Sequence, residues 1–145
     1  PPNHRLPLGK ANILREGKDV SLISYGRPIQ DAKAIADNLA KEGISVEIVD
    51  LRTVSPLDTE TVLKSVAKTR RAVIAHEAPG SFGVGAEVAA RIQEHLFSDL
   101  KAPVLRVASR DVPVPFTKVL EQEFLYKRTA MEAAIRQTLD ARSAR

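Results

Sequence analysis

A chain of 145 residues has room for one domain with its own core and not for a second. Its 43% hydrophobic and 28% charged residues are ordinary for a globular protein, and with 4% aromatics and no Trp the core has to come from Val, Ile, Leu and Ala. The lack of Cys excludes disulfides and thiolate chemistry, no apolar run nears the ~18 residues of a membrane span, and the net charge of +4 is scattered rather than interleaved with aromatics, which argues against nucleic acid.

Residues 1–18 are Pro-rich and irregular apart from the apolar pair Ile13 and Leu14, and predict a linker or lead-in arm. The domain proper is expected over 19–140, with a frayed tail over 141–145. Val20 to Tyr25 is an apolar run closed by Gly26 and predicts a strand. Pro28 suits the first residue of a helix, Ile29, Ala32, Ala36 and Leu39 recur at helical spacing, and Gly43 is a stop signal. Val46 to Leu51 predicts a second strand. A second helix is expected from Ser55-Pro56-Leu57-Asp58, with Val62, Leu63 and Val66 as its buried stripe.

Ala72 to Ala75 predicts a third strand, and a loop with Gly80, Gly83 and Gly85 leads to a helix with Val88, Ala89, Ile92 and Leu96 inside. Val104 to Val107 predicts a fourth strand. Alternate prolines keep Asp111 to Phe116 extended and out of any central strand. Thr129 followed by Glu132 has the spacing of a capping box, opening a last helix with Met131, Ala134, Ile135, Thr138 and Leu139 inside. Strands alternating with helices predict a three-layer α/β/α sandwich with a largely parallel sheet.

The segment from His76 to Glu87 holds the candidate chemistry, because ligands of open α/β sheets gather beyond the strand ends. Glycines there can let backbone N–H groups approach a phosphate at a helix N-terminus. The spacing of Gly80, Gly83 and Gly85 is nevertheless neither the dinucleotide-binding nor the phosphate-loop pattern, and Glu87 would repel a phosphate. A sharp turn and close helix–sheet packing account for the glycines more simply. His76 next to Glu77 suggests acid–base work, yet strand neighbours point to opposite faces. His4, His76 and His95 stand far apart in the chain, so no histidine metal cluster is expected, and no complete active site emerges.

The ordered segments Pro7-Leu8-Gly9-Lys10-Ala11, Ser24-Tyr25-Gly26, Val49-Asp50-Leu51-Arg52-Thr53 with Ser55-Pro56-Leu57-Asp58, His76-Glu77-Ala78, Gly83-Val84-Gly85-Ala86-Glu87 and Asp111-Val112-Pro113-Val114-Pro115-Phe116 carry a resemblance. Together they resemble the C-terminal part of the β subunits of thiamine-diphosphate-dependent 2-oxoacid dehydrogenases of the pyruvate and branched-chain type. More distantly, the chain is similar to the C-terminal domains of transketolases.

The resemblance implies a transketolase C-terminal-like fold and a protein of the cytoplasm or mitochondrial matrix. It implies an α2β2 parent that oxidatively decarboxylates a 2-oxoacid and transfers the acyl group to a lipoyl carrier. Thiamine diphosphate and Mg²⁺ would lie between the α subunit and a preceding β domain, so this chain is expected to bind neither and to be inactive alone. The start at Pro1-Pro2, with Met131 the only Met, agrees with a piece of a longer protein. The implied partners are the α subunit, a second β subunit and the peripheral-subunit-binding domain of the lipoyl acyltransferase core. No membrane or nucleic-acid partner is expected. Asp111 matches an acidic docking position, and His76, Glu77, Gly80, Gly83, Gly85 and Glu87 are candidates for an interface. Arg142 and Arg145 would repel a cationic partner. Two other readings stay open: a free-standing nucleotide- or phosphate-binding module, and an oligomerisation domain of another transketolase-like enzyme.

Overall fold

Alternating side chains on the strands divide between two apolar layers, and this division sets the architecture. The computed structural model describes residues 5–140. In chain order the strands are β1 (Asn12–Arg15), β2 (Val20–Ser24), β3 (Val46–Asp50), β4 (Ala72–Pro79) and β5 (Leu105–Ser109). The helices are α1 (Pro28–Lys41), α2 (Thr59–Thr69), α3 (Val84–Leu96), α4 (Lys118–Phe124) and α5 (Arg128–Asp140). The five strands form one sheet in the order β1-β3-β2-β4-β5, parallel except for β1.

On one face Leu22, Ile48, Val73 and Val107 pack against Ile29, Ala32, Ile35 and Leu39 of α1 and Met131 and Ile135 of α5. On the other, Ile23, Val49 and Ile74 pack against Val62 and Val66 of α2 and Val88 and Ile92 of α3. The structure is therefore the expected three-layer sandwich, and its mostly parallel sheet is covered on both sides as such sheets require.

Local chemistry fixes the helix ends. Pro28 opens α1, where a missing N–H costs no helical bond. Gly43 takes φ +82° beyond the end of α1, its N–H donating to the Ala40 carbonyl at 3.1 Å while Ile44 N donates to the Leu39 carbonyl at 3.0 Å. α2 starts at Thr59, four residues later than Ser55, because Asp58 is its cap rather than a residue of its first turn. The Asp58 carboxylate accepts from Thr61 N at 3.2 Å and Thr61 Oγ1 at 2.8 Å.

Asp58 also accepts from Ala11 N at 2.9 Å, and Gly9 N donates to Thr53 Oγ1 at 2.9 Å. These bonds draw the lead-in segment onto the domain, where Asn12–Arg15 pairs with β3 as an edge strand instead of remaining irregular. Two further differences lie near the other end. Lys118–Phe124 is a short helix that the sequence pattern missed, because its Val119 and Leu120 face solvent. The expected capping box is displaced: α5 begins at Arg128, so Thr129 sits inside its first turn, and Glu132 accepts from Arg136 Nη2 at 2.8 Å. The expected frayed tail, 141–145, and His4 lie outside the described residues.

Burial works against the charge on Asp58, but the hydrogen bonds from Ala11 and Thr61 outweigh it and hold its pKa below the usual carboxylate value. A lowered folded pKa contributes stability above the unfolded pKa, which is lost as pH falls through the folded value. Asp58→Ala is expected to cost about 2 kcal/mol in urea unfolding at neutral pH, since it removes a cap and orphans the Ala11 amide. Near pH 2 the difference from the parent should shrink.

Candidate functional site

The chain winds from β2 through α1 to β3 in one direction and from β4 through α3 to β5 in the other, so β2 and β4 flank a topological switch. Beyond their carboxyl ends lies the crevice where sheets of this kind place ligand contacts. β4 is twice its expected length, running to Pro79, because β5 continues beside it to pair Pro79 with Ser109 past an irregularity. His76 and Glu77 are therefore both strand residues. His76 continues the Ala72–Ile74 side toward α3, while Glu77 is half-buried on the opposite side.

His76 is completely buried. Its Nδ1 lies 3.0 Å from the Ala78 carbonyl, which fixes the tautomer with Nδ1 as donor and leaves Nε2 without a hydrogen-bond partner. Tyr25, at the end of β2, stacks over the ring at a centroid distance of 6.3 Å. Burial lowers the imidazole pKa, the Ala78 carbonyl acts the other way, and the nearby Arg106 charge lowers it further. The ring is enclosed beneath α3 and presents no atom to solvent. Burial, with the Glu77 charge, raises the pKa of Tyr25. Burial and the hydrogen bond to Asp31, at 2.5 Å, raise that of Tyr126.

The glycines divide by role. A Cβ on Gly85 would lie 2.7 Å from His76 Cδ2, and one on Gly83 would lie 2.6 Å from the Pro79 carbonyl and 3.2 Å from His76 Cε1. Both are needed for α3 to close over the imidazole. A Cβ on Gly80 would meet only Ala108, at 3.7 Å, so packing does not demand glycine there. Glu87 accepts from Arg91 Nε at 2.7 Å, and Arg91 Nη1 reaches Thr59 Oγ1 at 2.7 Å, which links α3 to the start of α2.

Asp111, distant in sequence, joins this loop. It accepts from Ser81 N at 3.1 Å and Ser81 Oγ at 2.6 Å, bonds that lower its pKa. Arg106 Nη1 donates to the Gly80 carbonyl at 2.7 Å. The tied loop presents Phe82 in the left-handed region at φ +56°, fully exposed. Conformations of this kind persist in a non-glycine residue only where surroundings enforce them. Beyond Asp111 the chain displays Val112, Val114, Phe116, Val119 and Leu120, all exposed. Thus the structure brings Asp111 to Gly80 and Ser81, sets Gly83 and Gly85 against His76, which it seals, and leaves Glu87 exposed on α3.

Sequence reasoning missed Tyr25 and Arg106 as parts of this region, and it gave no separate role to Ser81 and Phe82 within the His76–Glu87 segment. Phe82 and Phe116 carried a usable signal, since a chain with four Phe places both in polar, Gly- or Pro-rich surroundings. Among the described residues no three His, Asp or Glu side chains are grouped to hold a metal ion, and no helix is long and apolar enough to cross a membrane.

The profile of the transketolase C-terminal domain family matches residues 9–131. Over 115 residues the chain is 48% identical to the pyruvate dehydrogenase E1 component subunit beta of Bacillus subtilis (strain 168) and 46% identical to that of Staphylococcus aureus (strain N315). Each match covers 79% of this chain and 35% of the relative, so the chain spans about a third of the length of these curated relatives. Among solved structures, a split-gene transketolase described as an inactive β4 tetramer superposes with TM-score 0.81 at 29% identity, covering 97% of this chain and 45% of the other. The 2-oxoglutarate:ferredoxin oxidoreductase from Magnetococcus marinus shares the fold, with TM-score 0.56 at 8% identity over 90% of this chain and 19% of its own.

Gly85→Ala should destabilise the protein by about 2 kcal/mol, through overpacking against His76, while Gly80→Ala should be nearly neutral in thermal unfolding. The His76 pKa is lower in the folded state, so the unfolded chain binds the extra proton first. Stability should therefore fall as pH drops below about 6.5 and level off below the folded pKa. In His76→Asn this slope should be absent from a pH series of urea midpoints.

Proposed function

The chain belongs to the transketolase C-terminal domain family, and from that premise we propose that it is the C-terminal assembly and docking domain of the β subunit of a 2-oxoacid dehydrogenase. The whole enzyme would oxidatively decarboxylate pyruvate or a branched-chain 2-oxoacid and pass the acyl group to a lipoyl carrier. It would work in the cytoplasm or the mitochondrial matrix. Identity of 48% to a pyruvate dehydrogenase β subunit makes pyruvate the first substrate to assay.

One observation carries the assembly role: Phe82, Val112, Val114, Phe116 and Leu120 are all exposed, and the Asp111–Ser81 bonds tie the Phe82 and Val112 segments together, so we treat them as one apolar edge. Contiguous exposed apolar surface rimmed by polar groups marks interaction sites, and rigid aromatic residues are the usual anchors. The α subunit and a second β subunit are the occupants this reading assigns to it. Asp111 enters as the residue that holds Phe82 in place and as the acidic candidate toward the acyltransferase core. Thiamine diphosphate and Mg²⁺ belong to the longer enzyme. Among the described residues no three His, Asp or Glu side chains are grouped as metal donors.

In the longer β chain co-expressed with its α partner, Phe82→Asp and Phe116→Asp should each weaken assembly roughly thirtyfold by light scattering, the scale of a lost aromatic anchor. Unaltered assembly in both variants would remove the apolar edge from the reading. A parent complex inactive on every 2-oxoacid tested would remove the enzymatic assignment. Asp111→Ala should release the loop, seen as roughly tenfold faster hydrogen exchange at the Ser81 amide with the core unchanged.

A further inference from the structure

We propose that the outer edge of β5, with the groove between it and α5, is a docking site for an extended acidic segment that joins the sheet as a sixth strand. This goes beyond the assembly reading and uses other residues. β5 ends the sheet, and over Leu105–Ala108 its only backbone ladder among the described residues runs to β4. Farther on the edge is closed, where Tyr126 N donates to Ser109 Oγ at 3.1 Å and Arg110 N donates to the Phe124 carbonyl at 3.1 Å. Over Leu105–Ala108 the chain therefore offers unpaired backbone groups, the requirement for adding a strand.

Beside that open stretch lies a cavity of about 570 Å³. Its far wall is the side of α5 carrying Ala130, Ala133, Ala134 and Gln137. The spacing puts these residues on one helical face, and the short alanine side chains keep it low beside the strand edge. An incoming strand would lay alternate small apolar side chains on this wall and turn the others outward.

Charge selects the outward side chains. Arg106, Arg110 and Lys127 line the groove against a single acid, Glu123, which already accepts from Lys127 Nζ at 3.3 Å. The Arg110 guanidinium has no side-chain partner among the described residues, while Arg106 donates to the neutral Gly80 carbonyl and is near enough to Asp111 to help lower that carboxyl's pKa. Arg110 is therefore the cation most open to an added acidic strand. Acidic residues on the added strand complement this rim. A second copy would do the reverse, since β5 against β5 brings like charges into apposition.

The test uses the 145-residue chain, an acetylated and amidated octapeptide alternating glutamate with valine, and the same peptide with lysine for glutamate. Amide chemical shifts are followed during titration. Saturable shifts over Leu105–Ala108 and Ala130–Gln137 are expected with the glutamate peptide, and binding of the lysine peptide should be at least roughly tenfold weaker. Arg110→Glu, at an exposed position, should weaken the glutamate peptide by a similar factor. Ala133→Leu, also exposed, should block it while leaving distant amides unchanged. No saturable shift along β5, equal binding of both peptides, or a dimer that protects the β5 amides without peptide would each overturn the proposal.

Discussion

β2 and the first half of β4 have no solvent face, and the rest of the structure depends on that constraint. Helices cover both sides of these strands, so each side chain must be apolar or find its partner inside the protein. The polar exceptions obey. Ser21 Oγ lies 2.7 Å from both Ser65 Oγ and Thr69 Oγ1, which couples β2 to α2, and Ser24 Oγ donates to the Ala75 carbonyl at 2.7 Å. Buried Glu47 on the neighbouring strand accepts from Gly17 N at 3.1 Å and pairs with Lys68, which also reaches Glu16 at 2.6 Å. Polar groups thus register the helices against the sheet, which apolar packing alone specifies loosely.

His76 departs from this pattern. One ring nitrogen is paired and the other is left orphaned beneath α3, a cost accepted where the strand passes from core to edge. Gly83 and Gly85 make this closure sterically feasible, and it fixes where the loop before α3 emerges. The Asp111–Ser81 bonds then lock that loop to the segment after β5. A core packing requirement is carried in this way to the surface, where Phe82 and Phe116 stand on two adjoining loops. The region with the most conspicuous sequence is consequently a scaffold that holds exposed groups in place.

Much of the fold was legible because buried strands and amphipathic helices announce themselves by period. Val20–Ser24, Val46–Asp50, the first half of β4 and the inner faces of α1, α2 and α5 all agree with their apolar spacing. The failures share a cause. β1 and α4 lie at the periphery, with too little apolar periodicity to register, and they form because the remainder of the domain supplies Asp58 and β3 for one and the β5–α5 connection for the other. The second half of β4 was masked by its Pro and Gly neighbours, since nothing in local spacing tells that β5 extends far enough to pair with it.

By itself the sequence determined the fold class, the order of the main strands and helices, and the order of motifs that placed the chain in its family. These follow from local periodicity and from residue types at fixed offsets, which need no knowledge of distant contacts. Tertiary structure decided which glycines are indispensable, that the imidazole of His76 is sealed, that Asp111 serves Ser81, and which strand edge stays open. Each of those depends on residues far apart in the chain, such as the 30 positions between Ser81 and Asp111, meeting at a few ångströms. Separation along the chain carries no signal for that encounter until the sheet has fixed its neighbours.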